Sequence, residues 1–182
     1  MVINEEHNFI FVHVFRTGGS SMDNALPGTK LLEDTHKKLE AVPNWENYFS
    51  FGVVRNPWDR IVSAYHFSIK TKQFIGTFDD YVQRFAHGDL RTRKQYAQHD
   101  MIKNCNYVIR FEHLQEDLND VCNHLNMLPV QLLHIWKTDH SPYTEVYNDE
   151  QKQIIADASS GDIEEYGFTF DSTATKRFGV VR

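Results

Sequence analysis

Phe9-Ile10-Phe11-Val12-His13-Val14-Phe15-Arg16-Thr17-Gly18-Gly19-Ser20-Ser21 is the stretch whose reading decides the fold. From Phe9 to Phe15 the residues are apolar or aromatic except for His13, which predicts a buried strand. The strand ends abruptly in Arg16-Thr17-Gly18-Gly19-Ser20-Ser21, a loop of a size to hold a phosphate group. Gly18 and Gly19 let the backbone turn its N–H groups toward an anion, the hydroxyls of Thr17, Ser20 and Ser21 add donors, and Arg16 adds a fixed positive charge. A helix starting near Ser20 would point its N-terminal dipole at the same place. A plain turn is the simpler reading of the two glycines alone. A cation, two glycines and three hydroxyls within six residues favour an anion site. The spacing is neither the Gly-x-x-x-x-Gly-Lys-Ser/Thr of nucleoside triphosphatases nor the Gly-x-Gly-x-x-Gly of dinucleotide folds.

The chain around this loop has 182 residues, enough for one domain with a full core, so residues 1–182 are read as a single domain. Hydrophobic content of 41% and charged content of 24% are ordinary for a soluble globular protein. A net charge of −6 argues against a protein that coats nucleic acid, so any anion site must be local. No apolar run is long enough for a membrane span, and MVINEEHN lacks the regions of a signal peptide. Cys105 and Cys122 show neither metal-type spacing nor a disulfide framework, which makes the cytoplasm the default compartment.

Outward from the loop, Ser21 to Leu26 predicts a short helix stopped by Pro27-Gly28, and Lys30 to Leu32 a short strand. Thr35 to Val42 reads as a short helix capped by Thr35 and ended by Pro43, with His36 in its first turn. Phe51 to Val54 is a second core strand, with Arg55 at its end. Asn56-Pro57-Trp58-Asp59 then gives an N-cap, a proline at the first helical position and an acid in the first turn. Trp58, Ile61, Val62, Tyr65 and Ile69 form the buried stripe of that helix, and Ser63 falls off it. Helices follow from Thr77 to about Ala86, from Leu114 to Leu125 and from Asp149 to about Ala158, with a strand at Tyr107 to Arg110 and an acidic turn before Tyr166-Gly167-Phe168. Strands alternating with helices predict an α/β fold, three layers with a mainly parallel sheet flanked by helices. In such sheets ligands lie beyond the C-terminal strand ends, where Arg16 and Arg55 both fall, so a ligand with two separated anionic groups is expected.

These residues carry a family resemblance. Phe15 to Ser21 resembles the Pro-Lys-Thr-Gly-Gly-Thr-Ser loop of sulfotransferases that use 3′-phosphoadenosine 5′-phosphosulfate (PAPS), a P-loop-like loop that binds the 5′-phosphosulfate. Val54-Arg55-Asn56-Pro57-Trp58-Asp59-Arg60-Ile61-Val62-Ser63-Ala64-Tyr65 looks like their 3′-phosphate segment, in which the arginine and serine map onto Arg55 and Ser63. Ile109-Arg110-Phe111-Glu112-His113-Leu114 and the stretch from Pro142-Tyr143 to Phe170 are similar to later family segments. The likeness is nearest to carbohydrate sulfotransferases of the heparan and chondroitin type and their small bacterial relatives. It implies transfer of the sulfuryl group from PAPS to a hydroxyl of an acceptor, a saccharide, leaving the bisphosphate PAP, with no metal required. Arg16, Thr17, Gly18, Gly19, Ser20, Ser21, Arg55 and Ser63 are thereby expected to bind the cofactor.

For catalysis the resemblance assigns Arg16 to the charge building on the bridging oxygen and His36 to the base, since imidazole titrates near working pH. Glu112, His113, His134 and His140 are the other candidates for the base, and His13, inside the first strand, reads as a core histidine. The chain departs from the family at Arg16, where the family has lysine, and at Phe15, where it has proline; arginine presents a planar fork on a longer reach. Two other readings stay open. One is a catalytically weak or silent module that binds PAPS or PAP. The other is a small-molecule kinase, which lacks its Walker lysine here. Lys37-Lys38 and Arg91 to Lys94 are basic patches that read equally as an acceptor surface or as solvated faces.

Overall fold

The computed structural model describes residues 1–30, 36–89, 97–133 and 141–174. Its centre is a five-stranded sheet in the order β3-β1-β2-β4-β5. Strands β2 (Phe9–Val12), β4 (Phe49–Val54) and β5 (Tyr107–Arg110) run parallel, with Phe11 opposite Phe51 and Phe51 opposite Tyr107. Strands β1 (Val2–Asn4) and β3 (Thr29–Lys30) extend the sheet antiparallel on the β2 side. β1 is absent from the sequence reading. It is a three-residue strand held by a tight hairpin in which Asn4 Oδ1 accepts from His7 N at 2.6 Å, and Asn8 takes a left-handed φ of 53°. Of the predicted Lys30 to Leu32 strand, Lys30 lies in β3 and residues 31 and 32 lie outside the described residues.

The alternation of side chains along β2 and β4 makes three layers. Phe9, Phe11, Phe51 and Val53 face α1 (Gly19–Ala25) and α5 (Leu114–His124), packing on Met22, Leu118 and Val121. Ile10, Val12 and Val54 face the opposite way, toward α2 (Pro57–Lys70), α3 (Phe78–His87) and α6 (Asp149–Ala158). At Gly52 a Cβ would stand 2.4 Å from Ile102 Cγ2, so glycine is what admits α4 (Gln98–Ile102) against the sheet.

Helix α2 begins as its sequence predicts. The Asn56 side chain accepts from the backbone N–H of Trp58 at 3.0 Å and of Asp59 at 3.4 Å, with Pro57 at the first helical position. Its buried face holds Trp58, Ile61 and Val62, but Ile69 is 39% exposed because the last turn runs past the edge of the core. Helices α3 and α6 each start on a capping box, Thr77 with Asp80 and Asn148 with Gln151. Two predicted elements differ. Of the predicted Thr35 to Val42 helix, Thr35 lies outside the described residues and the rest is not a helix: Lys38 is extended, only Leu39–Ala41 makes one tight turn, and Val42 is extended ahead of Pro43. The expected acidic turn is a helix, α7 (Ser160–Tyr166). Gly161 is needed there because a Cβ would lie 2.4 Å from the His99 ring. Among the described residues no helix is long and apolar enough to cross a membrane.

Candidate functional site

The C-terminal ends of the parallel strands deliver three segments to one place: residues 13–19 from β2, Arg55 and Asn56 from β4, and Phe111 and Glu112 from β5. The loop after β2 turns through two left-handed residues, Arg16 at φ 62° and Gly18 at φ 83°. Gly18 lies against Leu114 and Phe111, and Gly19 has the His13 ring where a Cβ would stand. Thr17 is fully buried and its hydroxyl donates to Val14 O at 2.9 Å, so its single proton serves the loop itself. Ser20 is exposed and Ser21 buried.

The left-handed turn at Arg16 swings its side chain over α2. There Nε and Nη2 donate to Ser63 Oγ at 3.1 and 2.7 Å, and the guanidinium lies 4.7 Å from the centre of the Phe67 ring. The sequence reading sets Arg16 and Ser63 at opposite ends of a ligand; the structure has them in direct contact. Among the described residues no carboxylate pairs with Arg16. Burial and the nearby charge of Arg55 bring its pKa down to about 10. Arg55, by contrast, has an acid partner: its Nε donates to Asp59 Oδ2 at 2.7 Å, while Nη1 donates to Arg16 O at 3.2 Å and the guanidinium stacks 4.0 Å from the Phe111 ring. A third arginine, Arg60, went unnoticed in the sequence. It is 3% exposed and its Nε donates to Phe15 O at 2.9 Å, tying α2 to the base of the loop. The second arginine in Arg55-Asn56-Pro57-Trp58-Asp59-Arg60 was its only signal.

His36 sits beside the same loop, edge-on to Phe15 with ring centres 5.8 Å apart and to His13 at 4.6 Å. Its Nδ1 lies 3.0 Å from His13 O. A carbonyl only accepts, so Nδ1 carries the proton and the lone pair is on Nε2. Burial lowers the His36 pKa below its ordinary 6.5, which keeps the ring neutral at pH 7. His13 is a buried core histidine as expected, although β2 ends at Val12, short of the predicted Phe15, and leaves it in the loop; its Nδ1 lies 2.7 Å from Asp23 Oδ2. Glu112 accepts from Asn56 N at 2.9 Å, and its other oxygen is buried with no hydrogen-bond partner among the described residues. Burial raises its pKa above the ordinary carboxyl value. His113 is turned to Glu116 at 3.1 Å. His134, His140 and the basic run from Arg91 to Lys94 lie outside the described residues.

The model of the sulfotransferase family matches residues 1–168. A sulfotransferase from Alicyclobacillus acidocaldarius superposes with a TM-score of 0.53 at 14% identity, over 90% of this chain and 96% of that one, a likeness of fold. A retinol dehydratase in complex with androsterone and inactive cofactor PAP gives 0.48 at 14% identity, over 84% of this chain and 59% of that one. Mouse sulfotransferase SULT7A1 complexed with PAP gives 0.46 at 14% identity, over 98% and 76%. Among curated proteins there is no match.

Proposed function

The chain belongs to the sulfotransferase family, and from that premise we propose that it moves the sulfuryl group from PAPS to a hydroxyl of an acceptor, a saccharide. The observation that carries this reading is the charge balance at the strand ends. Two guanidinium groups meet there, Asp59 pairs with Arg55, and no described carboxylate answers Arg16. A half-buried cation whose pKa is pulled down to about 10 is held in an unfavourable state that an anion would relieve.

The donor set fits PAPS. Arg55 and Ser63 would hold the 3′-phosphate and Arg16 the phosphosulfate end, the Arg16 bonds to Ser63 giving way to the two anionic groups on binding; the loop amides of Gly18, Gly19 and Ser20 and the Ser20 and Ser21 hydroxyls would help, and Thr17 contributes by shaping the loop. When bound, PAPS supplies the sulfuryl group, whose bond to the 5′-phosphate oxygen breaks as a bond to the acceptor oxygen forms. Arg16 stabilises negative charge at the oxygen left behind. His36 takes the acceptor's proton at Nε2, the nitrogen left unprotonated by the bond from Nδ1 to His13 O. The fixed tautomer and lowered pKa support His36 over Glu112, whose bonded oxygen is engaged by the start of α2. Lys37 and Lys38, exposed and directly after His36, support an acceptor that is itself polar or acidic, as sulfated and uronic saccharides are.

Calorimetric titration with PAP, 5′-AMP and ATP tests the cofactor class. Tight binding of PAP, lost with 5′-AMP and in Arg55→Ala, is expected, followed by transfer from labelled PAPS to members of a saccharide panel. A preference for ATP, or no nucleotide binding, would refute the reading. PAP binding with no transfer to any acceptor would leave the silent-module alternative in its place.

A further inference from the structure

Gln98 opens α4 with none of its surface exposed, and its carboxamide is directed at the backbone of one residue. Oε1 accepts from Arg55 N at 2.8 Å and Nε2 donates to Arg55 O at 3.0 Å. The second Nε2 proton goes to Asp162 Oδ2 at 3.1 Å. Arg55 is the first residue beyond β4, where the ladders have run out: the last registered pairs are Val12 with Gly52 and Val54 with Arg110. For this one residue the Gln98 amide does the work of a neighbouring strand.

The consequence falls on the side chain. The Arg55 N–H belongs to the peptide plane before its Cα, and the Arg55 C=O and Asn56 N–H belong to the plane after it. Gln98 holds the first plane and one edge of the second, and Glu112 Oε1 holds the other edge at 2.9 Å. With both planes pinned, φ and ψ of Arg55 are fixed, and with them the direction in which its side chain leaves the backbone. Gln98 is anchored in turn. Asp162, 3% exposed, accepts from Gln98 N at 3.3 Å and His99 N at 2.8 Å as well as from the amide. An apolar residue would fill this buried place without needing polar partners. A fully satisfied amide there specifies orientation instead.

We propose that Gln98 is a positioning residue for Arg55: it sets the angle at which the guanidinium meets the 3′-phosphate of the nucleotide, with Asp162 holding the amide in register. This rests on the nucleotide reading given above. Its readout is the ratio of PAP to 5′-AMP affinity, since only PAP carries the 3′-phosphate and a loss of fold would affect both ligands. Gln98→Met keeps the length of the side chain and removes its hydrogen bonds. The ratio is expected to fall at least tenfold, with 5′-AMP affinity within twofold of wild type. Gln98→Asn, which withdraws the amide by one methylene, should lower the ratio in the same sense and serves if the methionine variant does not fold. In the wild-type protein the Gln98 side-chain NH₂ resonances should move on titration with PAP and stay in place with 5′-AMP. A wild type that prefers PAP, with variants that keep its ratio or Gln98 resonances that do not respond to PAP, overturns the clamp alone. A wild type with no preference for PAP overturns the nucleotide reading and this inference together.

Discussion

Replacing Arg16 by methionine separates a binding role from a structural one, because the two predict different stabilities. Lowering the Arg16 pKa from the ordinary arginine value to about 10 corresponds, at ~1.4 kcal/mol per unit, to a penalty on the charged form of about 3 kcal/mol. Against it stand the bonds to Ser63, worth about 1.5–3 kcal/mol for a charged donor, and the stacking on Phe67, worth about 0.5–1 kcal/mol. These terms nearly cancel. Arg16→Met should therefore leave the stability of the free protein within about 1 kcal/mol of wild type, a shift of about 2–4 °C at this chain length. An arginine whose removal broke a buried ion pair would instead cost about 3–5 kcal/mol. With PAP at about 100 times its dissociation constant, the wild type gains about 2.7 kcal/mol. The variant should lose most of that gain. Urea unfolding in a chloride buffer, with and without PAP, measures both quantities. A loss of 3 kcal/mol or more without nucleotide, or a full response to PAP in the variant, would refute the argument.

Three further outcomes are expected. His36→Gln should lower turnover by about 10²–10⁴ with PAP affinity unchanged. In the wild type kcat/KM should rise with pH through a midpoint below 6.5, because the neutral ring is the active form and burial lowers its pKa; a variant as active as wild type would remove His36 from the chemistry. Asn56→Ala deletes a cap and two bonds from Asn56 Nδ2 to Thr169 O and Ser172 O, together about 2–3 kcal/mol of unfolding free energy; a loss below about 0.5 kcal/mol would show those groups satisfied by water. The His99 bond to Asp162 raises the imidazole pKa above 6.5, so its stabilisation is complete below that pH and is lost as the pH rises through the raised value. The stability difference between wild type and His99→Gln should accordingly be larger at pH 6 than at pH 9, and equal differences would refute the linkage.

Where local signals agree, the sequence is a good guide to this fold. The second, long helix starts on Asn56 and Pro57 as read, because cap, proline and apolar stripe all point to one register. β5 and α6 have the expected bounds, one from its run of β-branched residues and the other from its acidic first turn. β1 escapes notice, and β3 is read one residue late as Lys30 to Leu32, because strands of three and two residues have no periodicity to detect; they exist only as partners in a ladder. The Thr35 to Val42 helix is overread because good helix formers cannot outweigh a proline that holds Val42 extended. The site divides the same way. Arg16 and Arg55 are marked by their places at strand ends, whereas Gln98 reaches Arg55 from 43 residues away, a meeting that no local pattern encodes.

The bonds that join the loop to α2 have a consequence for how the protein folds. Arg60 to Phe15, Arg16 to Ser63 and Arg55 to Arg16 span 45, 47 and 39 residues respectively. Helix α2, with its own cap, can form locally within microseconds, but none of these bonds can form until β2 lies beside β4. The two repelling arginines are therefore brought together by closure of the sheet rather than by any attraction of their own. A chain with its helices formed and its central strands apart has no cation cluster to offer an anion, so binding of a nucleotide would report the pairing of β2 with β4.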